Sequence, residues 1–484
     1  MRTITTVGES PLGSRSSIEV QRLIAKYGLA AHLALLAVAP LFLFPFFADG
    51  FVTETLLWLS LVSALWMVFE PSMRAGESLS DSRHRVAKAI LRDPLFWILL
   101  VVIAFSGLRA LNTGVALSYN AETSAWYVSD QSFPLLPGSV EGSGGLPFSA
   151  AVAFSVLLMS GLHSLGRAAR QFFLLVSSSL AGLAAVIYLL LLRLGASGWM
   201  RTLLPSSGGF DCSFAGFVFG LYLIGGMVAL VAVFEQNWDK ALVPAALAIG
   251  GTLAGVVAFT PSYLSMVLVA VSLLMLVYVL IFSSRVFQPA GLFRIVLFSI
   301  IALMLGGLFV AVVLPGGVWA ERLSQLSEYK LFPDRFWKVR EELSAIAFKS
   351  WISHLWLGTG MASFPLDFRI HAQALDWELL PRGVTAVANG WWLLLAERGV
   401  VGLMLFVLPF AFLLFIHVRR LIGGISRFEL PSPTCIVAPL VLLLFVTVAF
   451  VDCSPLRVEV LLVTGSLMAV SAASFPRLRR KKNV

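Results

Sequence analysis

The sequence predicts an all-α polytopic membrane protein with about twelve transmembrane helices and a large polar loop before the tenth. Hydrophobic residues make up 58% of the 484 positions and charged residues only 13%. The mean hydropathy of +0.90 is too high for a soluble domain. Many apolar runs reach the roughly 20 residues that a helix needs to cross a bilayer. Helices satisfy their own backbone groups in lipid, and no run alternates like a barrel strand.

The predicted spans divide the chain into five parts. Residues 1–27 form an N-terminal tail and 28–314 hold spans one to nine. Residues 315–390 form a cap loop of short helices, 391–475 hold spans ten to twelve, and 476–484 form a basic tail. The spans are predicted at 28–48, 51–69, 95–112, 148–165, 171–194, 212–234, 241–259, 262–283, 294–314, 391–416, 434–450 and 458–475.

Positive charge in the short loops predicts that both termini are cytoplasmic, because Lys and Arg near span ends stay on that side. Basic clusters follow the second, fourth, eighth and tenth spans and fill the C-terminal tail. All of them fall on one side when twelve spans are threaded. The loop at 113–147 and the cap loop then lie outside. The net charge of +9 is therefore no sign of a nucleic-acid partner, and no basic helix with interleaved aromatics occurs.

The three cysteines and the cap loop give two further expectations. Cys212, Cys435 and Cys453 are too scattered for a metal cluster and are predicted to be free thiols; no metal or cofactor is expected. In the cap, Pro333 and Asp334 favour a helix start. The helix that follows has one apolar stripe and is expected to lie along the membrane surface.

Several polar residues of the cap loop and the tenth span are candidates for chemistry. Arg335, Arg340 and Arg382 could bind a phosphate, since a guanidinium fork matches phosphate geometry. The alternative for each is a solvated or salt-bridged surface charge. Glu397 and Arg398 sit about two turns into the tenth span. They pair with neighbouring loops or snorkel towards the surface, or else Glu397 lines a polar cavity beneath the cap.

Four short segments, taken together, resemble the signature of the O-antigen ligase and polymerase superfamily. That signature has an Arg-containing helix, a Gly-x-Gly turn with a nearby Phe, a His-Asn that opens a span, and Glu-x-Gly-x-x-Gly within that span. The corresponding residues here lie at 334–337, at 357–360 with Phe364, at 388–392 and at 395–402. The order and spacing of the segments carry the resemblance, which extends to twelve spans and a large loop before the tenth.

The resemblance implies a GT-C-like fold and a metal-independent glycosyltransferase of the bacterial inner membrane. Its donor would be a polyisoprenyl-diphosphate-linked glycan, and its acceptor a glycan or lipid hydroxyl in lipopolysaccharide or exopolysaccharide assembly at the cell envelope. Arg335 would hold the diphosphate, with Arg340 and Arg382 as weaker candidates. Asn389 would orient the acceptor or the junction between cap and span, and Glu397 would order the cavity below.

The chain departs from the family pattern at two positions. The family histidine is Ala388, and the outer Ser-Arg pair is Ser262-Tyr263. Loss of a general base costs on the order of a hundredfold or more. Three interpretations stay open: His371 or Asp376 supplies the base, the acceptor needs little base assistance, or the chain is a non-catalytic relative that binds lipid-linked glycan. A transporter or flippase for lipid-linked glycan is the rival from another class.

Overall fold

A computed structural model describes most of the chain, and it is overwhelmingly helical. The described residues are 12–43, 55, 58–59, 61–62, 78–112, 117–120, 125–128, 145–195, 213–236, 238–259, 289–313, 334–361, 363–365, 368, 389–425, 433–450, 456 and 458–474.

The helices are numbered here in chain order. They are α1 Leu12–Leu43, α2 Leu79–Leu91, α3 Pro94–Leu111, α4 Gly145–Ser164, α5 Arg167–Gly195, α6 Ser213–Glu235, α7 Leu242–Phe259, α8 Pro289–Val313, α9 Asp334–Ser353, α10 Gly390–Ile425, α11 Val437–Ala449 and α12 Val458–Ser474. Helix α7 contains a π-helical segment, Leu247–Gly251.

The chain is a helical polytopic membrane protein. Seven of the described helices, α3 to α8 and α10, are long and apolar enough to cross a bilayer. Three shorter apolar helices, at Tyr27–Phe42, Thr434–Ala449 and Val460–Ser474, match further predicted spans. Most of the predicted span at 51–69 lies outside the described residues, and so does all of the predicted span at 262–283. The full count of twelve therefore stays a prediction.

A small antiparallel β-pair lies between α3 and α4, in the segment that was predicted to be an outer loop. Strand β1, Leu117–Asn120, pairs with β2, Ala125–Val128. The tyrosines and tryptophan of these strands, paired as Tyr119 with Trp126 and Ser118 with Tyr127, are residue types that favour strands.

Close helix contacts in the core depend on glycines that face one another. Gly182 of α5 and Gly251 of α7 form one such contact, because a Cβ on Gly251 would lie 2.6 Å from the Gly182 carbonyl oxygen. Gly250 of α7 and Gly306 of α8 form the other: a Cβ on Gly306 would overlap the Gly250 carbonyl. Small residues let helix backbones approach closely within a membrane.

Helices α3 and α4 are antiparallel neighbours that are pinned at one end by Asp93. Its carboxylate caps α3 by accepting a hydrogen bond from the Leu95 amide (3.0 Å), and it lies 3.1 Å from Nε2 of His163 near the end of α4. The opposite ends of the two helices therefore also lie together. Arg109 and Phe148 lie at that far end, about 24 Å along the axis at 1.5 Å per residue. Helix α10 packs there against α3.

Candidate functional site

Helix α10 is broken at Gly399. This residue has φ 64° and ψ −171°, a conformation that is essentially restricted to glycine. The break separates a short segment, 390–398, from the long segment, 400–425. The apolar run of α10 resumes directly after this position, at Val400 and Val401.

The turn after α9 inserts its backbone into this break. In an unbroken helix the amides of Val400 and Val401 would bond to the carbonyls of Ala396 and Glu397. Instead, the Val400 and Val401 amides donate to the carbonyls of Leu355 (3.1 Å) and Trp356 (3.0 Å).

The two carbonyls released by the break find donors in the same turn. Ala396 accepts from the Thr359 amide (2.9 Å), and Glu397 accepts from the Gly360 amide (3.1 Å). Four hydrogen bonds between segments thus replace two bonds within the helix. The break leaves none of these four backbone groups without a partner, which is a condition for irregular backbone inside a membrane protein.

Glycines on both sides of this interlock make the close approach possible. Gly358 and Gly360 have φ values of 71° and 130°, in the range that favours glycine. A Cβ on Gly358 would lie 2.5 Å from the Arg398 amide nitrogen, and one on Gly399 would overlap the Trp356 carbonyl. The Gly-x-Gly turn and the Glu-x-Gly segment of the predicted signature are therefore two halves of one structure.

Asn389 caps the short segment of α10. Its Oδ1 accepts hydrogen bonds from the amides of Trp391 (2.9 Å) and Trp392 (3.3 Å), the geometry of a helix N-cap. Of the two roles predicted for Asn389, this contact fits the one at the junction between cap and span.

The apolar stripe of α9 packs onto the short segment of α10. Leu343 and Ile346 are buried in a cluster with Phe364 and Ala396. The predicted start of α9 at Asp334 is confirmed. Of the predicted apolar stripe, the two residues with described side chains, Leu343 and Ile346, face α10.

Two arginines lie buried beside the break. Arg109 of α3 has no exposed surface, and Arg398 is 9% exposed. Arg109 donates from Nη2 to the Glu397 carbonyl (2.7 Å), so it supports the break directly. The guanidinium of Arg398 lies over the ring of Phe148, 3.8 Å from its centroid. Gly402 leaves room for this side chain, because a Cβ there would overlap the Arg398 Cβ.

The predicted site residues divide into those at the break and those elsewhere. Asn389 and Glu397 belong to the site: Oε1 of Glu397 accepts from the Phe364 amide at 3.5 Å. Arg340 lies partly exposed on α9. Arg335 lies in the first turn of α9, but its side chain is outside the described residues, as are the whole residues His371, Asp376 and Arg382.

Sequence reasoning missed Arg109 and misjudged Arg398. Arg109 lies near the end of a span, where an arginine commonly snorkels to the surface. Loop pairing or snorkelling was one of the alternatives for Arg398, yet its guanidinium is stacked on Phe148 inside the protein. The one available signal was the charge itself, since arginines within spans are rare and are functional candidates by default.

Comparison with family models gave no match, and comparison with curated proteins gave none either.

Proposed function

We propose that this chain is a membrane glycosyltransferase of the O-antigen ligase and polymerase type, moving a glycan from a polyisoprenyl-diphosphate carrier to an acceptor hydroxyl. One observation carries the proposal. The Gly358-Thr359-Gly360 turn and the break at Gly399, which are separate parts of the resemblance, interlock through four backbone hydrogen bonds. Asn389, a third part, caps the same helix. Segments tens of residues apart thus meet at one place.

The position of the break along the bundle supports an extracytoplasmic site. Helix α2, with Arg83, Arg85 and Lys88, directly precedes the Asp93 end of α3. Positive charge of this kind marks the cytoplasmic end of a span. The break lies beside Arg109, at the other end of α3. The proposal accordingly has both termini in the cytoplasm and the cap loop on the outer face of the bacterial inner membrane.

The reaction needs a cationic environment more than a nucleophile from the protein. The acceptor oxygen bonds to the anomeric carbon, the bond from that carbon to the diphosphate oxygen breaks, and the diphosphate leaves with the electron pair. Fixed cations stabilise the charge that develops on the leaving group, and guanidinium groups can do so bidentately. The hydroxyl proton passes to a base or to water.

The identity of the base is tested by substitution in the cap. If His371 or Asp376 takes the proton, His371→Ala or Asp376→Ala lowers transfer about a hundredfold or more. If glycan transfer is unchanged in both variants, the acceptor hydroxyl reacts without a base from the protein. Lipid-glycan binding without any transfer in the wild-type chain identifies a non-catalytic relative.

A transporter of lipid-linked glycan is the second candidate, and the broken α10 favours it. Discontinuous helices and buried charges within spans are typical of transporter binding sites. A deletion strain separates the two functions. Lost or shortened surface polymer, with the lipid-linked glycan intact on the outer leaflet, supports the transferase. Accumulation of that intermediate on the inner leaflet supports the transporter.

A further inference from the structure

Arg109 and Arg398 place two guanidinium groups beside the break, and three of their nitrogens have no hydrogen-bond partner among the described residues. Removing a charged group from water costs several kcal/mol unless partners replace the water. Arg109 uses Nη2 for the Glu397 carbonyl, while its Nε and Nη1 have no hydrogen-bond partner among the described residues. The Nε of Arg398 is likewise without a partner in the described part of the chain.

The other contacts of these two arginines are with aromatic rings. Arg398 lies over the face of Phe148 at 3.8 Å, and Arg109 lies 5.5 Å from the centroid of the Phe105 ring. A ring face attracts a cation but accepts none of its in-plane hydrogen bonds. Glu397 brings one carboxylate to a site that has two guanidiniums.

Directly below Phe148 lies an apolar cavity between α3, α4, α10 and α12. Its volume is about 90 Å³. The walls are apolar apart from Ser155 and Thr464. Phe148 belongs to both features, because its ring contacts the Arg398 guanidinium and also lines the cavity. A cationic pair and a hydrocarbon-lined space therefore meet at one aromatic side chain.

From this juxtaposition we infer that Arg109 and Arg398 form an anion site within the helix bundle that binds a phosphate or diphosphate group carried on a hydrocarbon chain. The unused guanidinium donors bind the anionic oxygens, and the cavity below Phe148 holds the first part of the chain. This inference deepens the proposed function. It rests on that function for the glycan that the lipid carries, but the binding of the anion does not depend on it. It assigns the headgroup to residues of the spans rather than to the cap-loop arginines.

Binding is measured with the purified full-length chain in phosphatidylcholine nanodiscs. The probes are farnesyl diphosphate, isopentenyl diphosphate, inorganic diphosphate and farnesol. We expect farnesyl diphosphate to bind at least tenfold more tightly than any of the other three, because it alone has both the charge and the long chain. If inorganic diphosphate binds as tightly as farnesyl diphosphate, the arginines still form an anion site, but its assignment to a lipid is overturned.

Arg398→Gln is the main variant, because the described residues show no backbone bond that it would break. We expect it to weaken farnesyl diphosphate binding at least tenfold and to leave farnesol binding unchanged. Arg419→Gln, at an exposed position of the same helix, is the matched control and should bind like the wild type. Arg109→Lys keeps a donor for the Glu397 carbonyl, so it tests the second guanidinium without removing its structural bond.

Equal diphosphate affinity in the wild type, Arg398→Gln and Arg109→Lys would overturn the inference, provided that the variants unfold at the wild-type temperature. Its failure is distinguishable from failure of the proposed function. Arginine-dependent binding without glycan transfer leaves the anion site standing and contradicts the transferase. Glycan transfer that is unchanged by Arg398→Gln contradicts the anion site alone.

Discussion

The substitution Gly399→Ala tests the interlock between the turn and the broken helix. Alanine would have to adopt φ 64° and ψ −171°, which costs about 1–3 kcal/mol for a residue with a Cβ. The added methyl would also overlap the Trp356 carbonyl, which accepts the Val401 hydrogen bond. Loss of that bond adds about 1 kcal/mol. The expected destabilisation is therefore about 2–4 kcal/mol.

Thermal unfolding in nanodiscs measures this effect. At about 2.1 cal/mol/K of unfolding entropy per residue, a chain of this length loses roughly 1 °C of Tm per kcal/mol. Gly399→Ala should thus lower Tm by roughly 2–4 °C. Gly307→Ala is the matched control, because a Cβ there meets nothing within 4 Å; it should be neutral or slightly stabilising. A Gly399→Ala variant with the Tm of Gly307→Ala would refute the reasoning.

Three further predictions concern other contacts. Asn389→Ala should cost about 1 kcal/mol by removing the N-cap of α10, whereas Asn389→Asp should retain most of the stability; Tm in nanodiscs distinguishes them. Gly306→Val should lower Tm and Gly307→Val should not, because only Gly306 faces the α7 backbone, and equal values would contradict that helix contact. Glu235→Gln should change the unfolding free energy by no more than about 1 kcal/mol, since the Arg167 side chain is 53% exposed; a larger loss would show that this ion pair matters more than its exposure indicates.

Hydrophobic runs predicted most of the fold because membrane spans carry an unusually direct signal. A helix in lipid has to be apolar along about 20 residues, and ten of the predicted spans coincide with apolar helices, seven long and three short. The start of α9 at Asp334 was also predictable, since proline and an acid favour the first turn. The β-pair after α3 was not predicted, because two four-residue strands carry too little periodicity.

The break in α10 and the buried arginines could not be predicted from the same signals. Gly399 lies in a run that reads as one continuous span, and a glycine in a helix is usually tolerated. The conformation of Gly399 depends on the turn at Gly358, some forty residues earlier, so no local window contains its cause. Arg109 depends on still more distant residues: the carbonyl that it binds belongs to Glu397, 288 positions away.

The resemblance pointed both to residues at the break and to arginines of the cap loop. It brought Asn389 and Glu397 to one place, and both lie at the break. It directed attention to arginines of the cap loop because those lie in polar sequence. The arginines that the described structure places at the break lie within spans. A hydropathy profile does not single them out from the apolar residues around them.

The most direct test of the central claim is glycan transfer by the purified chain in nanodiscs, with a lipid-linked glycan donor and a matching acceptor. We expect the wild-type chain to move the glycan and release prenyl diphosphate, and we expect Arg398→Gln to lower the rate at least tenfold while Arg419→Gln does not. Donor that binds yet stays intact with every acceptor supplied would contradict it.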